Sequence, residues 1–163
     1  MRKHLFMRIV LIVLVVLLGV YSYAGYIQSN KQAVAIYTKS IIEIINLGAE
    51  LHSDKRQFAI NSDTLQGLSA TEKSEVLNSI SNIYNVIVVD SSYTELVENG
   101  FEKKGEPLKS LVLYIEDVKK YGPIMRVYLA KEYGSLGANG VVIDFVYVNG
   151  IWKFWRITHT WIA

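Results

Sequence analysis

The feature that most constrains this chain is an uncharged apolar run near its N-terminus. Residues 1–8 form a short basic segment. The following run, Ile9–Val20, is almost entirely isoleucine, valine and leucine, and no charged residue occurs between Ile9 and Lys31. A helix over Ile9–Ile27 has a length of about 28 Å, which matches the hydrocarbon thickness of a bilayer. The sequence therefore predicts a membrane-spanning segment at residues 9–27.

Two forms of this segment remain open. As an uncleaved anchor, it keeps the basic tail of residues 1–8 in the cytoplasm and places the domain of residues 28–163 outside the membrane. Three aromatic residues would then lie at the outer interface: Tyr21, Tyr23 and Tyr26. As a signal peptide, it ends in the small-x-small pattern Ser22-Tyr23-Ala24, which predicts secretion after cleavage following Ala24. Both forms export the domain.

Charge and cysteine content exclude several classes of protein. The chain carries a net charge of +2, but its first 24 residues hold three basic and no acidic residues, and residues 25–163 hold 14 basic against 15 acidic residues. A domain without a positive field has little attraction for phosphate, so no nucleic-acid partner is expected. The absence of cysteine excludes disulfides, a thiol nucleophile, a Cys-ligated zinc site and a lipoprotein anchor.

The first part of the domain has helical patterns. Apolar residues recur at steps of three and four over Lys31–Leu51, which predicts an amphipathic helix. Ser69 and Glu72 form a capping-box sequence, which predicts a second helix from this point to about Asn85. Residues 52–67 between the two helices are polar and irregular, and we expect a connection there.

A short strand and a short helix are predicted next, over Val86–Val89 and over a segment capped by Ser91 or Ser92. Beyond Pro107 the pattern becomes that of strands. Four are predicted: Leu108–Ile115, Ile124–Tyr133, Val141–Val148 and Ile151–Trp161.

The last two strands are joined by Asn149-Gly150, and Asn-Gly between two apolar runs favours a type I′ hairpin turn. Counting outward from this turn without interruption places Val148 opposite Ile151 and Asp144 opposite Trp155. Large apolar groups then lie on both faces, so we expect helices to cover one face and either a partner subunit or the loops to cover the other. A homodimer across the sheet is the hypothesis that we carry forward. The predicted fold class is α+β, with helices packed on a curved antiparallel sheet.

The order of these elements resembles that of the nuclear transport factor 2-like (cystatin-like) superfamily. The segment Val146–Ile157, an Asn-Gly hairpin followed by Trp and alternating apolar residues, is similar to the C-terminal hairpin of that superfamily. The resemblance covers about residues 31–163. It implies a sheet wrapped around a long helix, a conical pocket and dimerisation through the sheet, and it does not decide between an enzyme and a binding domain.

Asp144 and His159 are the candidate catalytic residues. A carboxyl group in an apolar pocket can act as a general base, although Asp144 can equally be an acid paired with a basic residue such as Lys153. His159 lies on the same predicted side, where a histidine is either an acid–base group or a hydrogen-bonded structural residue. The candidate ligand-binding residues are aromatic or basic groups of the predicted strands: Tyr114, Tyr128, Tyr147, Trp155 and Arg156.

Arg156 is predicted either to hold an anionic ligand or to pair with a carboxylate such as Glu132 or Asp117. The sequence predicts no metal site and no cofactor, because it has no metal-ligand spacing, phosphate-binding loop or catalytic-triad signature. Three functions remain. We expect a membrane-tethered interaction or assembly domain without catalysis; the alternatives are an exported small-ligand-binding protein and an isomerase- or dehydratase-like enzyme, both of which require a pocket.

Overall fold

The computed structural model describes residues 2–49, 55–134 and 137–162. The helices in these ranges are α1 (Arg2–Lys31), α2 (Ala33–Asn46), α3 (Ala70–Tyr84) and α4 (Tyr93–Glu98). The strands are β1 (Gln57–Ile60), β2 (Ile87–Asp90), β3 (Leu111–Tyr121), β4 (Ile124–Gly134), β5 (Gly137–Val148) and β6 (Ile151–Ile162). The predicted α+β class is confirmed.

The six described strands form one sheet in the order β2-β1-β3-β4-β5-β6. Strands β3 to β6 are an antiparallel meander, as predicted, whereas β1 pairs parallel with both β2 and β3. The prediction of a purely antiparallel sheet is therefore wrong, and the sheet is mixed. The difference arises at Gln57–Ile60, a four-residue strand inside the segment that was predicted to be a connection.

Helix α2 packs lengthwise on one face of the sheet, which we call the inner face. Its apolar residues follow the three- and four-residue spacing that predicted the helix. Among them, Ile41, Ile44 and Ile45 are almost completely buried. The space between α2 and the sheet is filled by aliphatic side chains. The gap lined by Ile44, Leu113 and neighbouring residues leaves no room for a water molecule. The conical pocket implied by the resemblance is therefore not confirmed in this part of the described residues.

The direction of α2 along the sheet is fixed at both ends. Ala33, at the start of the helix, lies beside Met125, near the β3–β4 turn. At the other end, the fully buried Lys131 of β4 donates a hydrogen bond to the carbonyl of Leu47, just after the helix. A cation is favourable at a helix C-terminus because the backbone carbonyls there are unpaired. The helix thus starts at the turn end of the sheet.

Helix α1 precedes α2 with only Gln32 between them, and it is long and apolar enough over Phe6–Lys31 to cross a membrane or to be a signal sequence. The side chains of residues 6–20 are all exposed. From Tyr21 onward the helix contacts the domain: the Gly25 carbonyl accepts a hydrogen bond of 2.9 Å from the indole of Trp152. The apolar segment predicted from the sequence therefore has an exposed part and a docked part.

The capping box predicted at Ser69 is present, and the cap predicted for the short helix is also a capping box. Ser69 caps α3 and Ser92, one of the two predicted alternatives, caps α4; each serine hydroxyl accepts from the backbone amide of Glu72 or Glu95, and that glutamate accepts in return. The hydrogen bonds from Ser69 lower the pKa of Glu72, and those from Ser92 lower the pKa of Glu95.

These shifts predict a pH dependence of stability. A carboxyl group whose pKa is lowered by folding stabilises the fold above its unfolded value of 4.5 and loses this contribution as the pH falls through the folded value. We expect the double variant Glu72→Gln/Glu95→Gln to be less stable than the wild type near pH 7 and equally stable at about pH 2. Urea unfolding at both pH values measures this, and an unchanged difference would contradict it.

Candidate functional site on the outer face of the sheet

The hairpin that carries most of the candidate residues has the predicted turn. Asn149 and Gly150 have φ values of 53° and 82°, as a type I′ turn requires. The pairs from Val148–Ile151 to Phe145–Phe154 match the predicted register. Beyond them, two β-bulges each add one residue to β6.

The bulges change the partners of the central residues. Trp155 is the extra residue of the first bulge, so Asp144 pairs with Arg156 and not with Trp155 as predicted. Thr158 is the extra residue of the second, so Val142 pairs with His159 and not with Ile157 as predicted. A bulge inserts one residue into the strand. Every residue after it therefore points to the face opposite to the one expected from uninterrupted alternation. As a result Arg156 lies on the face of Asp144, opposite α2, which we call the outer face.

Asp144 is the centre of a charged cluster on this outer face. Its carboxylate is 1% exposed and accepts from the Nε of Arg126 at 2.8 Å and from the Nε of Arg156 at 3.4 Å. A second nitrogen of Arg126 lies 3.3 Å from the other carboxylate oxygen. Both oxygens are therefore occupied by guanidinium groups. Hydrogen bonding to Asp144, and secondarily to Tyr128, raises the pKa of Arg126.

The exposed edge of the cluster is formed by Arg156 and Trp155. The side chain of Arg156 is 53% exposed, and its guanidinium carbon lies 4.0 Å from the centroid of the Trp155 ring. Trp155 itself is 47% exposed. A guanidinium stacked on an indole face is held in one orientation and still presents N–H groups to solvent.

The neighbouring strands continue the outer face with aromatic and charged groups. The ammonium of Lys119 lies 5.1 Å from the Tyr128 ring centroid and 3.2 Å from Asp117. Farther along, the Tyr114 hydroxyl donates to Glu132 at 3.4 Å. Burial, together with the charge of Glu132, raises the pKa of Tyr114 to about 12. Of the two alternatives predicted for Arg156, the structure shows the internal carboxylate, but the acid is Asp144 and not Glu132 or Asp117, which contact Tyr114 and Lys119.

The other predicted site residues do not join the cluster. Tyr147 points to the inner face, is buried, and contacts the rings of Tyr21 and Trp152. The backbone of His159 pairs with Val142, but its side chain lies outside the described residues. The cluster thus contains three of the seven candidates directly, namely Asp144, Trp155 and Arg156, with Tyr128 bonded to Arg126 at its edge.

Only half of the outer face is packed. Helix α4 and the segment after it bury a small apolar cluster over β1 and β3, made of Ala59, Leu96, Leu108 and Val112. Among the described residues this cluster ends at Val112. The outer face of β4, β5 and β6 therefore exposes the charged and aromatic groups around Asp144.

A cleft near the turn end lies apart from this cluster. It has a volume of about 280 Å³ and lies between the α1–α2 junction and β3–β4, with Tyr37 and Lys120 in its walls. Burial lowers the pKa of Lys120 and raises that of Tyr37. The volume is at the lower limit for a small-molecule site, and none of the predicted site residues lines it.

Comparison with protein-family models, with curated proteins and with solved structures finds no match to this chain. The site is therefore interpreted from its own geometry. Both oxygens of the Asp144 carboxylate accept from arginine, and Asp144 lines neither the gap under α2 nor the cleft near the turns. The arrangement holds two arginines at a fixed spacing, and the three side chains together carry one net positive charge.

Arg126 is the residue of the cluster that the sequence did not single out. The alternation of Arg126 and Tyr128 with Met125, Val127 and Leu129 indicates a half-buried strand with Arg126 on its polar side. That signal predicts exposure of Arg126 on one face. It does not predict its partner, because the β4–β5 register depends on a glycine-rich connection.

Proposed function

We propose that this protein is a single-pass membrane protein whose outer domain binds another protein through the Asp144 cluster, without catalysis. The single observation that carries the binding part is the exposed Arg156–Trp155 pair, anchored by a buried carboxylate on an unpacked sheet face. Arginine and tryptophan are the residues most enriched where binding energy concentrates.

The membrane part of the proposal is supported by α1. Its first part carries a basic start and 15 consecutive exposed residues, Phe6–Val20, which are apolar apart from Arg8 and Gly19. Such a surface is unfavourable in water. The contacts of Tyr21 with Tyr147 and of Gly25 with Trp152 favour an anchor that is retained, since cleavage following Ala24 would remove the first of them.

The absence of catalysis is supported by the occupation of Asp144. A general base needs an oxygen within reach of substrate, and both oxygens of this carboxylate already accept from arginine. The isomerase-like alternative also needs an apolar pocket around the acid, whereas Asp144 lies on the face opposite the aliphatic core. Membership of the nuclear transport factor 2-like superfamily is part of the proposal, supported by the meander that packs on α2.

The charges of the site indicate the chemistry of its partner. Asp144 neutralises one of the two arginines, which leaves one positive charge at the centre of the patch. In a symmetric homodimer the same patch would face itself, and two such charges would repel each other. We therefore favour a partner that presents a carboxylate to Arg156, and a homodimer is the competing outcome.

A photo-crosslinking experiment in cells tests this proposal. A photoreactive amino acid replaces Trp155 in the full chain, and in a matched control it replaces Ile83, which is 55% exposed on α3. We expect a discrete cross-linked product from position 155 only, and we expect Arg156→Glu to reduce its yield at least about tenfold, since a repulsive charge costs more than 1.4 kcal/mol.

The mass of the product distinguishes the alternatives. A product of twice the chain mass would establish the homodimer in place of a second protein. Equal products from positions 155 and 83, or none from either, would overturn the binding role of this face. A loss of phenotype in Asp144→Asn without loss of the cross-link would restore the catalytic alternative.

A further inference from the structure

Helix α1 is fixed to one end of the sheet, at its two β-turns. The Tyr21 hydroxyl donates to the carbonyl of Tyr147, which immediately precedes the β5–β6 turn segment Val148–Ile151. The Ser22 hydroxyl lies 3.3 Å from the position of a Cβ on Gly122, in the β3–β4 turn. Residues 6–20, which precede these contacts, are all exposed, so this part of α1 leaves the domain at the two turns.

The exposed part of α1 is too short to cross a bilayer by itself. Ile9–Val20 contributes 12 residues, or about 18 Å, against a hydrocarbon thickness of about 30 Å. Starting the span at Phe6 adds only about 5 Å and includes Arg8. The missing length of about 10 Å matches the docked segment Tyr21–Ile27. Any span long enough therefore brings the docked segment, with the turns attached to it, to the level of the membrane surface.

The turns have the composition of a membrane-surface contact. Their exposed apolar groups include Tyr121, 54% exposed, and Ile151, 43% exposed. The flanking segments, residues 118–127 and 145–158, contain five of the domain's 14 basic residues. Three of the five pair with two acids just outside these ranges, Lys119 with Asp117 and both arginines with Asp144. Apolar tips surrounded by lysine and arginine bind at the interface of bilayers that contain anionic lipid.

We infer that the two turns, Tyr121–Pro123 and Val148–Ile151, lie in the headgroup layer of the membrane beside α1, held by basic side chains on anionic phospholipid. This arrangement depends on the proposed anchoring by α1 and goes beyond it. The domain is then attached to the bilayer at three places, α1 and the two turns, and this clamp fixes its orientation relative to the membrane. Lys119, Lys120 and Lys153 are the basic residues nearest to the tips, and Lys119 also pairs with Asp117.

The absence of cysteine allows a direct test with single labels. Ile151→Cys in the full chain is labelled with an environment-sensitive fluorophore and reconstituted in vesicles with about 30% phosphatidylglycerol and a lipid that carries a shallow spin label. Lys104→Cys is the matched control, because it is exposed and precedes β3, an 11-residue strand about 35 Å long that ends at the turns. We expect quenching at position 151 to exceed that at 104 at least about threefold.

Separate outcomes overturn the anchoring and the clamp. Failure of the labelled chain to float with vesicles after an alkaline wash would overturn the anchoring. A chain that floats but is quenched equally weakly at positions 151 and 104 would overturn the clamp alone, and Tyr121→Cys provides a second labelling position in case Ile151→Cys does not fold. We expect Lys119→Gln/Lys153→Gln, or replacement of phosphatidylglycerol by phosphatidylcholine, to reduce quenching at 151 by about half. Unchanged quenching in both would overturn the role of the lysines.

Discussion

Replacing Trp152 by alanine is expected to lower the free energy of unfolding by about 3–5 kcal/mol. The indole is 8% exposed, its ring packs on that of Tyr147 at 5.4 Å between centroids, and its N–H donates to the carbonyl of Gly25. The substitution removes a large buried ring and the hydrogen bond that joins it to α1. Urea unfolding of the full chain in detergent micelles, followed by circular dichroism, measures the change.

Trp155→Ala is the matched control for this prediction. It makes the same substitution three residues later in the same strand. The side chain of Trp155 is 47% exposed, however, and its ring stacks on the guanidinium of the neighbouring Arg156. We expect a change of less than about 1 kcal/mol. A similar loss in both variants would mean that the joint between α1 and the hairpin does not hold the fold together, and would remove the basis for docking of α1.

Asp144→Ala is expected to destabilise the domain by about 2–3 kcal/mol. The carboxylate is almost completely buried, and its loss leaves Arg126 and Arg156 side by side without their counter-charge. The cost is below that of a fully buried pair because the side chains of these arginines are 34% and 53% exposed and can turn to water. The same unfolding experiment detects it.

Asp117→Ala provides the comparison for Asp144. Asp117 also pairs with a basic residue on the outer face, at 3.2 Å from Lys119, but its side chain is 45% exposed. Exposed ion pairs contribute little, so we expect a change of less than about 1 kcal/mol. If Asp144→Ala were no more harmful than Asp117→Ala, the cluster would not be the fixed structural element that a binding site requires.

Local sequence patterns predicted the parts of the fold that depend on neighbouring residues. The Ser69–Glu72 capping box and the Asn149-Gly150 turn are short-range devices, and both are present. The strand Gln57–Ile60 was missed because four residues between polar segments carry too little periodicity. Its parallel pairing with β2 and β3 depends on contacts between residues far apart in sequence, which no local pattern records.

The site was predicted in part for the same reason. Asp144 was identified because a charged residue between Ile143 and Phe145 is unusual in a buried strand. Its partners were not, because the bulge at Trp155 shifts Arg156 by one position and because Arg126 comes from another hairpin. A bulge leaves no mark in the sequence here, since Trp155 is as apolar as the residue that an uninterrupted strand would place there.

The near-continuity of α1 and α2 has a structural consequence. With only Gln32 between them and its side chain accepting from the backbone of Trp152 at 2.8 Å, both helices are attached to the β5–β6 hairpin at their junction. The position of α1 relative to the sheet is therefore set by the same hairpin that presents Trp155 and Arg156.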